Sequence, residues 1–84
     1  MEHIITFPTT HMALKFEKII AEQGISGKLV PVPRRLSSNC GLSARLNSRE
    51  ELEHALSLCD ENGVEYEHAY GLPDDKQSEP EIIS

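Results

Sequence analysis

Two blocks of this chain carry the same layout of apolar and polar positions, the second following the first at an offset of 39 residues. In the first block Met12, Ala13, Phe16, Ile19 and Ile20 recur at helical spacing on one face, while Lys15, Lys18 and Glu22 fall away from it, which predicts an amphipathic helix. Leu52, Ala55, Leu56 and Cys59 form the matching stripe of a second helix. Thr9 and Ser48 coincide under the offset, and each hydroxyl can accept the unpaired N–H groups of a first helical turn. Ser48 with Glu51 also makes a capping-box pattern. Glu22-Gln23-Gly24-Ile25 aligns with Glu61-Asn62-Gly63-Val64, so a glycine follows each helix where the chain has to turn left-handed.

Around these helices, apolar or alternating runs bounded by turn residues predict strands at His3 to Phe7, Lys28 to Val32, Leu42 to Leu46 and Val64 to Tyr70. The order β-α-β-β-α-β implies an α+β fold of ferredoxin-like type, a four-stranded antiparallel sheet with both helices on one face. Pro31 and Pro33 place the second strand at a sheet edge, where an outward N–H is not needed. The expected domain is residues 1–70. From Gly71 the composition turns acidic and poor in apolar surface, so residues 71–84 are expected to form a mobile tail, in which Ile82 and Ile83 offer a pair of side chains for docking on a groove or a neighbouring subunit.

A chain of 84 residues has one modest core, which suits a small carrier or binding module better than an enzyme with a deep cleft. The start Met1-Glu2-His3-Ile4-Ile5 lacks a basic region and the apolar runs are only a few residues long, so the expectation is a cytoplasmic protein with no membrane span. The net charge of −6 argues against nucleic acid as a partner, yet it hides an uneven distribution. Lys28, Arg34, Arg35, Arg45 and Arg49 enclose a segment without a single acidic residue, which carries about +5 against about −11 for the rest.

Cys40 lies inside that basic segment, in Pro33-Arg34-Arg35-Leu36-Ser37-Ser38-Asn39-Cys40-Gly41. Cys59, by contrast, occupies the apolar stripe of the second helix and aligns with Ile20 under the repeat, so it is expected to be a core residue. The polar run before Cys40 suggests an accessible loop thiol. Arg34 and Arg35 are suited to favour a thiolate, Ser37, Ser38 and the amides around Gly41 to donate hydrogen bonds, and Gly41 to let a partner approach closely. The same residues also fit a simple turn beside a solvated edge.

Two segments resemble a family of short bacterial and archaeal selenium/sulfur carrier-like proteins. One is Phe7-Pro8-Thr9-Thr10-His11-Met12-Ala13-Leu14-Lys15-Phe16-Glu17; the other, more specific, runs from Pro31 to Arg45 and holds the Pro-Arg, Ser, Cys-Gly and terminal Arg elements in order. The likeness spans about residues 3 to 70. It implies that Cys40 bears a persulfide or selenopersulfide, that Arg34, Ser37, Gly41 and Arg45 shape its surroundings, and that the partners are a cysteine desulfurase-like donor and small sulfur-transfer proteins. On this reading the protein is a carrier and not an enzyme, and it needs no cofactor.

His3, His11, His54 and His68 form no close pair at metal-ligand spacing, so no metal site is expected. No Ser-His-Asp motif, phosphate loop or paired-carboxylate pattern stands out. Glu50, Glu51 and Glu53 are expected to serve as favourable charge near a helix N-terminus. Two readings from other classes stand beside the carrier: a regulatory module that binds an anionic ligand at the basic edge formed by the second and third strands, and a structural domain that binds a partner through its sheet edge or tail.

Overall fold

Each helix begins at the hydroxyl residue expected to cap it. In the computed structural model, which describes residues 1–75 and 77–84, helix α1 (Thr10–Glu22) is capped by Thr9, whose side chain accepts from Met12 N at 3.2 Å. Helix α2 (Arg49–Asn62) is capped by Ser48, which accepts from Glu51 N at 3.1 Å. Gly24 and Gly63 follow the helices with φ of 71° and 68°, the left-handed conformation that a glycine adopts without a Cβ clash.

The strands are β1 (Glu2–Thr6), β2 (Gly27–Pro31), β3 (Leu42–Leu46), β4 (His68–Leu72) and β5 (Glu81–Ile82). They form one sheet in the order β2-β3-β1-β4-β5, each neighbouring pair antiparallel. The fold is α+β, as expected. Strand β2 is at the sheet edge with its Pro31 opposite Leu42.

The sheet has five strands where four are expected. Gly71 and Leu72, assigned to the tail from composition, close β4, and Glu81–Ile82 pair with Tyr70 and Gly71 as β5. The reason is local: the outer edge of β4 offers unpaired main-chain groups, and Ile83 packs against the core. Strand β4 also starts later than its apolar pattern implies. Val64 N–H returns to Cys59 O at 3.0 Å and so ends α2, which delays the extended segment to His68.

The core lies between the helices and one face of the sheet. Ile5, Phe7, Ala44 and Ala69 meet Ala13, Phe16, Leu52 and Ala55 there, with the Phe7 and Phe16 rings 5.2 Å apart. Ile4 and Thr6 alternate to the opposite face and are fully buried too, as is Ser43, the strand partner of Thr6. The connection 32–41 between β2 and β3 runs over this second face: Pro33, Arg34 and Arg35 share a depression with Glu2 and Leu72, and Ser37, Ser38 and Asn39 share another with His68 and Tyr70. Among the described residues no helix is long and apolar enough to cross a membrane.

Candidate functional site

Side chains in a strand alternate between faces, and Cys40 continues the set Leu42, Ala44, Leu46 that faces the helices. The strand-like geometry does extend to it, since Val32 N–H donates to Gly41 O at 3.3 Å beyond the last pair of β2 and β3. Cys40 is therefore 4% exposed and part of the core. This corrects the expectation of an accessible loop thiol: the polar run before it lies on the surface while the sulfur turns inward.

Two polar groups meet the sulfur within the otherwise apolar core. Leu42 N–H donates to Cys40 Sγ at 3.4 Å, and Thr10 Oγ1 lies 3.5 Å from the same atom. Thr10 is the first residue of α1, where the aligned peptide dipoles leave partial positive charge. The main chain is held as well: Cys40 N–H donates to Ser38 Oγ at 3.2 Å.

A single carboxylate secures the two residues before Cys40. Ser38 Oγ lies 2.6 Å from Glu67 Oε1, and Asn39 Nδ2 donates to Glu67 Oε2 at 3.1 Å. Phe7 O stands 3.0 Å from the same Ser38 hydroxyl, but that hydroxyl has one proton, and the shorter contact to the charged oxygen is the stronger acceptor. Glu67 is itself anchored, its N–H donating to Thr6 O at 2.7 Å at the end of β1.

The other residues singled out from the sequence are dispersed. Arg35 does not turn toward Cys40; its guanidinium donates to Pro73 O at 2.7 Å, to Asp75 O at 3.4 Å and to Ser78 O, and so clasps the segment between β4 and β5. Arg34 is exposed over the depression it shares with Glu2 and Asp74. Arg45, also exposed, stands directly opposite Lys28 and lines a depression with Ser26 and Asn47. Ser37 is exposed beside Asn39 and Glu67. Gly41 is exposed, has no positive φ and would meet nothing within 4 Å if it bore a Cβ, so neither backbone geometry nor internal packing requires glycine there. Of the expected site residues, Ser38, Cys40 and Gly41 are brought together. Thr10 and Glu67 join them, and neither was singled out from the sequence.

Cys59 is a core residue, as expected, at 1% exposure. Burial pushes its thiol up to about 12, with the neighbouring Asp60 charge adding to the effect. Its reactive thiolate is thereby suppressed at neutral pH.

The family model described as "Putative Se/S carrier protein-like" matches residues 2–71. That span holds α1, the connection 32–41 with Cys40, and Glu67, and it stops before β5. No curated protein and no solved structure matches the chain.

Proposed function

Because the chain belongs to the Se/S carrier protein-like family, we propose that it is a cytoplasmic carrier, without turnover chemistry of its own, in which Cys40 holds one sulfur or selenium atom between a donor and an acceptor. The observation that carries this reading is the convergence of Leu42 N–H and the Thr10 hydroxyl on Cys40 Sγ at the start of α1. In loading, the Cys40 thiolate attacks the outer sulfur of a donor persulfide. The donor S–S bond breaks, a new S–S bond forms on Cys40, and the donor leaves as a thiolate, so no external oxidant or reductant is needed. Delivery repeats the exchange with an acceptor thiolate. The fitting donor is a cysteine desulfurase-like enzyme and the fitting acceptors are small sulfur-transfer proteins.

Transfer requires the sulfur to emerge from the core. Beyond the Val32 N–H to Gly41 O bond that extends the β2–β3 ladder, the connection 32–41 is held by side-chain bonds from Glu67 and Arg35, so its middle can open without unfolding the sheet. The order β4-β1-β3-β2 with the two helices between supports reading residues 2–72 as a ferredoxin-like unit to which β5 is added.

The test is the intact mass after incubation with a cysteine desulfurase and cysteine. The wild-type chain and Cys59→Ser gain one sulfur atom and Cys40→Ser gains none. A gain retained by Cys40→Ser removes Cys40 from the role.

A second reading has its own observation. Lys28 and Arg45 are like charges placed directly opposite on adjacent strands, a costly arrangement, and among the described residues neither takes part in a salt bridge. An anionic ligand bound there would relieve the repulsion. Titration with inorganic phosphate, followed by the amide shifts of Lys28 and Arg45, tests it: shifts lost in Lys28→Gln/Arg45→Gln support the site, and shifts absent from the wild type refute it.

A further inference from the structure

The outer edge of β4 is a seat for an extended segment, and here it is filled by the chain itself. Ile83 N–H and Ser84 N–H donate to Ala69 O at 2.7 and 3.2 Å, and Ala69 N–H donates to Ser84 O at 2.9 Å. The pairs Tyr70↔Ile82 and Gly71↔Glu81 continue the ladder. Two features give the seat chemical selectivity. A Cβ on Gly71 would come within 2.8 Å of Met1 Sδ, so the glycine makes room for Met1; Ile83 Cδ1 lies 3.5 Å from the same point, in ordinary contact, and packs against the core, which favours an aliphatic side chain there. Arg49 Nη1 lies 4.0 Å from Glu81 Oε1 and so favours an acidic residue two positions earlier.

The occupant is short, held by these main-chain bonds, by Ile83 against the core and by Ser84 Oγ 3.0 Å from Tyr66 Oη. Strand β5 has only two residues, with Ile82 66% exposed, and the stretch leading to it is clasped mainly by Arg35. The matched family span ends at residue 71, so it contains this edge but not the strand that covers it. A bare edge invites pairing with another chain, and main-chain pairing with one or two side-chain pockets is a general way of recognising extended peptides.

We propose that the β4 edge is a docking site for an extended segment of a partner protein in which an acidic residue is followed two positions later by an aliphatic one, and that residues 81–84 of this chain are the built-in competitor for it. Docking has a second consequence. Displacing β5 frees the stretch that leads to it, which Arg35 holds through Asp75 O and Ser78 O, and so loosens the connection that leads to Cys40. The site does not depend on what Cys40 carries.

The experiment uses the full chain and a fluorescent peptide of the sequence Glu-Pro-Glu-Ile-Ile-Ser. In the wild type the tethered strand competes at high effective concentration, whereas Ile83→Asp empties the seat, so the variant should bind the peptide at least about tenfold more tightly. Glu81→Arg, repelled by Arg49 at an exposed position, should tighten binding in the same direction by a smaller factor of about two to five and serves if Ile83→Asp fails to fold. A peptide with aspartate in place of the second isoleucine should bind none of the chains, and the authentic peptide should speed alkylation of Cys40. Equal binding by wild type and both variants, no binding by any of them, or indifference to the aspartate replacement overturns the proposal.

Discussion

Glu67 touches both residues that precede Cys40, so Glu67→Ala loosens the covering connection without altering the sulfur or its donors. Two bonds are lost, Ser38 Oγ to Oε1 at 2.6 Å and Asn39 Nδ2 to Oε2 at 3.1 Å. Hydrogen bonds to a charged partner contribute about 1.5–3 kcal/mol each, less where water competes, as it does at exposed Asn39. Ser38 recovers part of the loss, because its freed proton can turn to Phe7 O at 3.0 Å. A net cost of about 1–3 kcal/mol to the closed state follows. At about 1.4 kcal/mol per tenfold, the open population rises roughly fivefold to a hundredfold. Where reclosing is faster than the chemistry, alkylation of Cys40 follows that population. The assay is iodoacetamide labelling under native conditions, mapped by peptide mass, with Cys59 as the internal reporter of global unfolding. A Cys40 rate unchanged by the substitution, or one that rises only in step with Cys59, refutes the clamp.

Other outcomes follow from glycine geometry and from the buried thiol. Gly63→Ala should cost about 1 kcal/mol in urea unfolding, because φ is 68° there; Gly41→Ala, with open space and no positive φ, should stay within about 0.5 kcal/mol, and a large loss at Gly41 would contradict the geometry. Gly27→Ala drives a methyl to 2.9 Å from Ile20 Cδ1 and 3.0 Å from Leu46 Cδ1 and should cost about 1–3 kcal/mol, which a urea titration would contradict by showing no change. Cys59 titrates at about 12 in the fold against 9.0 ordinarily. Below 9.0 both states hold the proton and its contribution is constant; above it only the unfolded chain releases the proton, so stability falls as pH rises, by up to about 1.4 kcal/mol per unit. Cys59→Ala should show a shallower alkaline decline than the wild type, and identical slopes would count against the shift.

The parts of this fold written in local chemistry were legible. Thr9 and Ser48 cap the helices, Gly24 and Gly63 end them, and the repeat places Cys59 in the core opposite a position held by Ile20. The inward turn of Cys40 was present in the alternation Cys40, Leu42, Ala44, Leu46, but the preceding Ser37-Ser38-Asn39 reads as a surface loop and masks it. Proximity along the chain misled for the arginines. Arg34 and Arg35 lie in a turn closed by Leu36 N–H to Pro33 O at 2.9 Å, and Arg35 is aimed at the tail from there. Arg45 follows Ala44, and strand alternation sends it to the face away from the helices. Glu67 reaches Ser38 only because the connection crosses the sheet to the approach of β4, and no spacing rule signals that. Strand β5 depends on an edge that exists only once the sheet has formed, so two isoleucines in an acidic stretch gave no local sign of it.

The proposed role of Cys40 is to hold and pass on a single chalcogen atom. Loading the chain from a cysteine desulfurase with radiolabelled cysteine, then mapping the label under non-reducing conditions before and after adding an acceptor thiol protein, tests it most directly. The expected result is label on the Cys40 peptide alone, at one atom per chain, and its departure to the acceptor with Cys40 returned to the free thiol. Label on Cys59, label retained after the acceptor is added, or equal labelling of Cys40→Ser would contradict it.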